Sequence, residues 1–242
     1  MDYNLSILEN GCREYGISLD ERQKQQFIRY YELLVEWNKV MNLTGITEFE
    51  EVLLKHFTDS LSIAKAVDLK EINSCIDVGT GAGFPGIPLK IAFPHLQVTL
   101  LDSLNKRLKF LDQVILELNL DGIETVHGRA EDGARKAQYR EQYDLSVSRA
   151  VSRLASLCEY CMPYVREGGC FVSYKSGKAA EEIQEAGKAI QVLGGKLIKE
   201  ENFCLPETDM ERALVVIRKV KPTPKKYPRK AGIPTKEPIL QQ

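Results

Sequence analysis

Apolar positions along this chain follow two rhythms, and the change between them falls near residue 70. In the first sixty residues they recur every three or four positions, as in Phe27, Tyr30, Tyr31, Leu34 and Val35, the spacing of one helix face. Ser18 with Glu21, and Thr47 with Glu50, match the capping-box pattern and are expected to open two helices, with "NKVMNLTGIT" as the loop between. From residue 74 short apolar runs alternate with helical stretches. "SCIDVG", "QVTLLD", "IETVHG", "YDLSVSRA" and "GGCFVSYK" are predicted strands, and "PGIPLKIAF", "NKRLKFLDQVILELNL" and "LASLCEYCMPYV" are predicted helices between them. This alternation predicts an α/β fold with a mostly parallel sheet covered on both faces. The rhythm then breaks. "GGKLIKEENFCLP" and "RALVVIRKV" are strand-like and separated only by "ETDME", so they are expected to form an antiparallel hairpin at the sheet edge. Beyond Lys221, "PTPKKYPRKAGIPTKEP" has five prolines in seventeen residues and reads as an extended tail without a core of its own. The expected division is a helical region at 1–68, a catalytic body at 69–220 and a basic tail at 221–242.

Composition narrows the class. A chain of 242 residues holds one ordinary domain plus an appendage. With 43% hydrophobic and 28% charged residues it reads as globular rather than disordered or membrane-spanning. The N-terminus lacks the basic and apolar segments of a secretory signal, and no apolar run reaches membrane-spanning length. Six scattered cysteines suit reduced thiols in the cytoplasm. Cys158 and Cys161 form a C-x-x-C inside a helical pattern with no second pair, so no metal is expected there. The formal charge is −1, yet "RKVKPTPKKYPRK" carries seven Lys or Arg and no acid, enough to neutralise phosphates locally.

Candidate chemistry centres on "DVGTGAGFPG", residues 77–86, between a predicted strand and helix. Gly79, Gly81 and Gly83 spell the G-x-G-x-G of a methyl-donor loop, while Gly81, Gly83 and Gly86 spell the G-x-G-x-x-G of a dinucleotide loop. Glycine lets backbone approach a ligand in either case. Pro85 and Pro88 remove two N–H donors from the turn a pyrophosphate would need. Asp77 would repel a pyrophosphate, but it suits a methionine amino group or the bracing of the loop. Asp102, 19 residues beyond Gly83 at the end of the second strand, is placed for ribose hydroxyls in either cofactor class, or as a helix N-cap. After the third strand, backbone at Ala130 with Glu131 or Asp132 is placed to read an adenine amine. Three acids after three successive strands favour S-adenosylmethionine, with a nicotinamide or flavin cofactor and a non-catalytic fold still open.

The blocks "MNLTGIT", "HFTDSL", "IDVGTGAGFPGIPLKI", "LLDSLNKRLKFL", "GRAED", "SRAV", "YKSGK" and "YPRKAGIPTKEPI", spanning about residues 34–240, together resemble the glucose-inhibited division protein B family. The resemblance implies a class I S-adenosylmethionine-dependent methyltransferase with a Rossmann-like fold and an N-terminal helical extension. It also implies a product, guanosine methylated at N7 in the 530 loop of 16S ribosomal RNA. Matched by motif, Gly79, Phe84, Ala130, Glu131 and Arg149 become expected cofactor contacts, and Asp102 the ribose ligand.

Guanine N7 has an in-plane lone pair and no proton, so its methylation needs alignment rather than a general base. Planar guanidinium groups suit O6 or phosphate recognition, which makes Arg129 and Arg212, with Lys175 beside them, candidates for positioning the target. The basic tail and the N-terminal helices are expected to grip the RNA, on its own or in a small-subunit particle, with the enzyme a monomer. A small-molecule or protein methyltransferase and a plain RNA-binding module remain as alternatives; the basic tail argues for RNA.

Overall fold

The computed structural model describes residues 3–177 and 179–240. Its centre is a seven-stranded sheet in the order β3-β2-β1-β4-β5-β7-β6. The strands are β1 Ser74–Val78, β2 Gln97–Asp102, β3 Ile123–His127, β4 Tyr143–Arg149, β5 Val165–Lys175, β6 Gly195–Cys204 and β7 Glu211–Lys219. β1 to β5 run parallel, and β7 enters antiparallel between β5 and β6. The expected α/β class and terminal hairpin are both present. Because strand order reverses between β1 and β4, a crevice opens at the carboxyl ends of these strands, where ligands bind in open α/β sheets.

Helices cover both faces. On one lie α1 Ser6–Glu14, α2 Glu21–Met41, α3 Phe49–Val52, α4 Asp59–Leu61, α5 Gly86–Ala92 and α6 Asn105–Glu117. Their buried residues, among them Leu8, Phe27, Leu61, Leu89 and Phe110, join Val98, Leu145 and Val172 of the sheet in one cluster. The N-terminal helices therefore share the core of the sheet. On the other face lie α7 Ala130–Gly133, α8 Leu154–Cys161 and α9 Ala180–Val192, packed through Leu157, Cys161, Ala186 and Ile190. Helix α9 has no counterpart among the helices expected from the sequence. Its buried positions are Ala186, Ala189 and Ile190, two of them alanines that barely mark a hydrophobic stripe.

Two helix starts differ from expectation. α2 is capped by Asp20 and Gln23 in a reciprocal capping box, not by Ser18 and Glu21. The Gln23 amide also donates to the carbonyl of Ile91 at 2.7 Å, so contact with the end of α5 selects this register. α3 starts after Glu48 with no side-chain cap, and the carbonyl of Thr47 instead accepts from Tyr31 Oη. Between α3 and α4 the segment Leu53–Thr58 is a π-helical turn, a feature frequent at functional sites.

The tail has no core of its own but is docked rather than free, because the body supplies buried partners for it. Lys219 is fully buried and donates to the carbonyls of Met162 and Val165 and to Thr223 Oγ1. Arg140 reaches the carbonyls of Thr223 and Tyr227, Arg229 pairs with Glu159, and α10 Ile233–Lys236 lies against α8. Of the seven basic residues of the run, Arg218, Lys221, Lys225, Lys226 and Lys230 remain exposed.

Candidate active site

The two glycine registers of the loop after β1 differ in backbone conformation. Gly79, Gly81 and Gly83 have φ of +75°, +62° and +97°, a region where a Cβ meets the following carbonyl. Gly86 has no such conformation. It opens α5, where a Cβ would run into the Leu100 side chain, so it is a packing residue. Asp77 is fully buried and braces the loop at both ends, its Oδ2 accepting from Thr80 Oγ1 at 2.7 Å and from the Gly86 N–H at 2.9 Å. Its Oδ1 has no partner among the described residues. Burial pushes the Asp77 carboxyl up to about 6, against the downward pull of these two hydrogen bonds. Of its two expected roles, bracing the loop is the one this geometry displays.

At the carboxyl ends of β1, β2 and β3 lies a cavity of about 240 Å³, lined in part by Gly79, Asp102, Arg129, Ala130, Glu131 and Tyr160. Asp102 Oδ2 accepts from the Gly81 N–H at 3.0 Å and Oδ1 from the Leu104 N–H at 2.8 Å, so one carboxylate ties the glycine loop to the next strand's exit. It is not the N-cap of α6; Leu104 holds that position without a side-chain cap. Glu131 is buried and accepts from the tail's Gly232 N–H at 2.8 Å through Oε1 alone. Two carboxylates and a glycine with no Cβ, in a cleft of this size, fit the adenosine and the near methionine backbone of S-adenosylmethionine.

A second cavity, about 420 Å³, adjoins the first, with Ser152 in both walls. The partition is the turn after β4, where Ala150 takes φ +57° and Val151 sits over Gly79, 2.7 Å from where a Cβ would be. Arg149 is the centre of the second wall. It donates to Asp59 Oδ2 at 2.7 Å and to the Lys55 carbonyl at 3.0 Å, and its guanidinium lies 5.2 Å from the Phe84 ring centre. Asp59, buried, also accepts from Arg212 Nε at 3.0 Å, so one carboxylate holds two guanidinium groups. His56 stacks on Phe84 with centroids 4.5 Å apart, its Nδ1 facing Arg149 Nη2 and its Nε2 facing Thr44 Oγ1. That network assigns the proton to Nε2. Burial, then the neighbouring Arg149 charge, pushes the imidazole down to about 4, so it is neutral at pH 7. Lys175 pairs with Glu182 at 2.7 Å.

The expected site residues thus divide between two places. Gly79, Asp102, Ala130, Glu131 and Arg129 line the first cavity; Arg149, Arg212 and Lys175 line the second. Arg129 is therefore separated from the two cations grouped with it by sequence. Gly81, Gly83 and Phe84 line neither cavity: Gly81 has open space where a Cβ would stand, Gly83 faces Tyr30 Oη and Ile87, and Phe84 supports His56 and Arg149. Sequence reasoning assigned no catalytic or binding role to Thr44, His56 or Asp59, and a structural or surface role is its default for His56. Thr44 lies in "MNLTGIT" and His56 and Asp59 in "HFTDSL", blocks already singled out, and the π-helical turn with the start of α4 brings the last two to the "SRA" arginine. Among the described residues no group of three or more His, Cys, Asp or Glu is placed to hold a metal ion, and no helix is long and apolar enough to cross a membrane.

Residues 23–210 match the family model described as GidB, rRNA small subunit methyltransferase G. A protein of Lachnoclostridium phytofermentans named ribosomal RNA small subunit methyltransferase G is 56% identical over 237 residues, covering 98% of each chain. A protein of the same name from Alkaliphilus metalliredigens is 54% identical over 233 residues, covering 96% of this chain and 98% of its own. Among solved structures, an S-adenosylmethionine-dependent O-methyltransferase of Thermotoga maritima superposes with a TM-score of 0.52 at 18% identity, covering 78% of this chain and 71% of its own, which speaks to the fold alone.

Proposed function

The chain belongs to the rRNA small subunit methyltransferase G family, and from that premise we propose that it methylates guanine N7 of one guanosine in the 530 loop of 16S ribosomal RNA, as a cytoplasmic monomer. The observation that supports this reading is the pair of adjoining cavities at the strand ends, one lined by Asp102 and Glu131, the other by Arg149, Arg212 and Lys175. S-adenosylmethionine supplies an electrophilic methyl on a sulfonium when bound. Asp102 receives the ribose hydroxyls, Glu131 and the Ala130 backbone read the adenine edge, and Gly79 admits the methionine backbone.

The target base enters the arginine-lined cavity. N7 attack releases no proton, so the pocket needs no base, and His56 offers none: it is neutral with both ring nitrogens engaged. Its stacking on Phe84 instead holds Arg149 at the boundary between the cavities. Positive charge moves onto the purine during transfer, so Asp59, already between two guanidinium groups, keeps the pocket's net charge low. Arg212 and Lys175 face O6 or the flanking phosphates, and Arg129 a phosphate near the donor. The exposed Lys and Arg of the tail, with the N-terminal helices, hold the RNA around residues 69–220 as the catalytic body.

The reading is tested by incubating the protein with labelled methyl donor and three substrates, naked 16S RNA, partial particles and 30S subunits, and mapping the modified nucleotide. Label at N7 of a single guanosine in the 530 loop is expected. Label on another atom or base, or in none of the three substrates, overturns it.

A further inference from the structure

We infer that the C-terminal tail is a wall of the methyl-donor site, with Gly232 as a positioning residue for Glu131, and not only an RNA-binding extension. This rests on the reading of the 240 Å³ cavity as the donor site. Two tail residues, Gly232 and Thr235, line that cavity together with Gly79 and Asp102. The Gly232 N–H donates to Glu131 Oε1 at 2.8 Å, which fixes the carboxylate and leaves Oε2 for a ligand. Thr235 Oγ1 bonds Tyr160 Oη, another residue of the same wall, and Ser156 Oγ donates to the Pro234 carbonyl at 2.9 Å.

What pins the tail there lies outside the cavity. Glu159 is only 1% exposed, and it accepts from Arg229 through the backbone N–H, Nε and Nη2 at 2.7 to 3.1 Å. A carboxylate so deeply buried depends on that partner. Arg135 and Arg140 add bonds to the carbonyls of Pro228 and Tyr227. The turn into α10 needs Gly232 at φ +84°, with open space where a Cβ would stand, so the requirement there is purely one of backbone conformation. Docking of the tail and binding of the donor are therefore linked through Glu131: each favours the other, and by the same factor. Cutting the chain after Val220 would perturb RNA affinity, donor affinity and the burial of Glu159 together, so point substitutions are required.

The experiment measures S-adenosylhomocysteine affinity by calorimetry, without RNA, on the full chain and three variants. Glu159→Gln with Arg229→Gln unpins the tail without touching a cavity residue; Gly232→Ala strains the turn that presents the N–H to Glu131; Asp102→Ala tests the donor site itself. Thermal unfolding of each confirms the fold, and Gly232→Ala stands in if the double variant unfolds. The unpinned variant is expected to bind roughly tenfold more weakly, the effect of losing one well-made hydrogen bond to a charged group. Bound product should also slow trypsin cleavage at Lys225, Lys226 and Lys230 in the unsubstituted protein. Affinity within about twofold of the unsubstituted protein in both tail variants, while Asp102→Ala binds weakly, overturns the tail's role and leaves the donor site standing. No loss in Asp102→Ala overturns both.

Discussion

Replacing Asp77 with Asn should change how stability depends on pH, because two buried groups titrate in opposite directions beside the site. The native Asp77 carboxyl sits at about 6 against an ordinary 3.8. The native state therefore binds this proton more tightly than the unfolded chain. Its contribution is fully present below pH 3.8 and is lost as pH rises through 6. At about 1.4 kcal/mol for each pH unit separating the two values, the loss is about 3 kcal/mol. His56 does the reverse, lying at about 4 against an ordinary 6.5. Its contribution is present above pH 6.5 and is lost as pH falls through 4, again by about 3 kcal/mol. In the unsubstituted protein these two slopes nearly cancel between pH 4 and 6.5. An Asn carbonyl keeps both hydrogen bonds made by Oδ2, from Thr80 and Gly86. Its amide nitrogen takes the place of the partnerless Oδ1, at a pH-independent cost of about 1–3 kcal/mol. The stability difference between variant and parent should therefore rise by about 3 kcal/mol from about pH 4 to about pH 7 in favour of the variant. Urea unfolding followed by circular dichroism and by the single tryptophan, Trp37, measures it across that range. A difference that stays constant with pH would mean that Asp77 ionises at its ordinary value, and would refute the account of the buried brace.

Asp59→Ala leaves two half-buried guanidinium groups without their shared carboxylate, and should lower stability by about 3–5 kcal/mol and methyl transfer more than donor affinity; kcat, calorimetry and unfolding read these separately, and unchanged kcat would detach the clamp from the proposed target pocket. Gly83→Ala meets strain at φ +97° and a Tyr30 hydroxyl 2.6 Å from its Cβ, so it should cost about 2–4 kcal/mol, whereas Gly81→Ala, with open space around its Cβ, should cost about 1–2 kcal/mol. Equal shifts in melting temperature would contradict that contrast. Substituting Lys225, Lys226 and Lys230 by Gln should make the salt slope of RNA binding shallower by about 0.7–0.9 for each phosphate left without its cation, and leave S-adenosylhomocysteine affinity alone, as filter binding over a salt series and calorimetry would report.

The sequence by itself determined the strands, most of the helices, the closing hairpin and the glycine loop, because each rests on local chemistry. Apolar period separates strand from helix over a few residues, and the three left-handed positions of the loop accept glycine alone without strain, so Gly79, Gly81 and Gly83 mark the register. Gly86 matches the competing motif by spacing alone and proves to be a packing position. Helix α9 was missed because alanine carries little hydrophobic signal, and the start of α2 was misplaced because Gln23 chooses its register by reaching Ile91, a residue distant in sequence. Only the tertiary structure decided how the charged residues are shared out. Arg149, expected at the cofactor, stands at the boundary of two cavities, and Arg212 is bound to it through Asp59 from a region that reads simply as helical. The tail, which reads as a free basic extension, spends Arg229 on a buried glutamate and Gly232 on Glu131. A charge on a one-dimensional chain shows its sign but not its partner, and burial, which decides whether it must have one, is a property of the folded molecule.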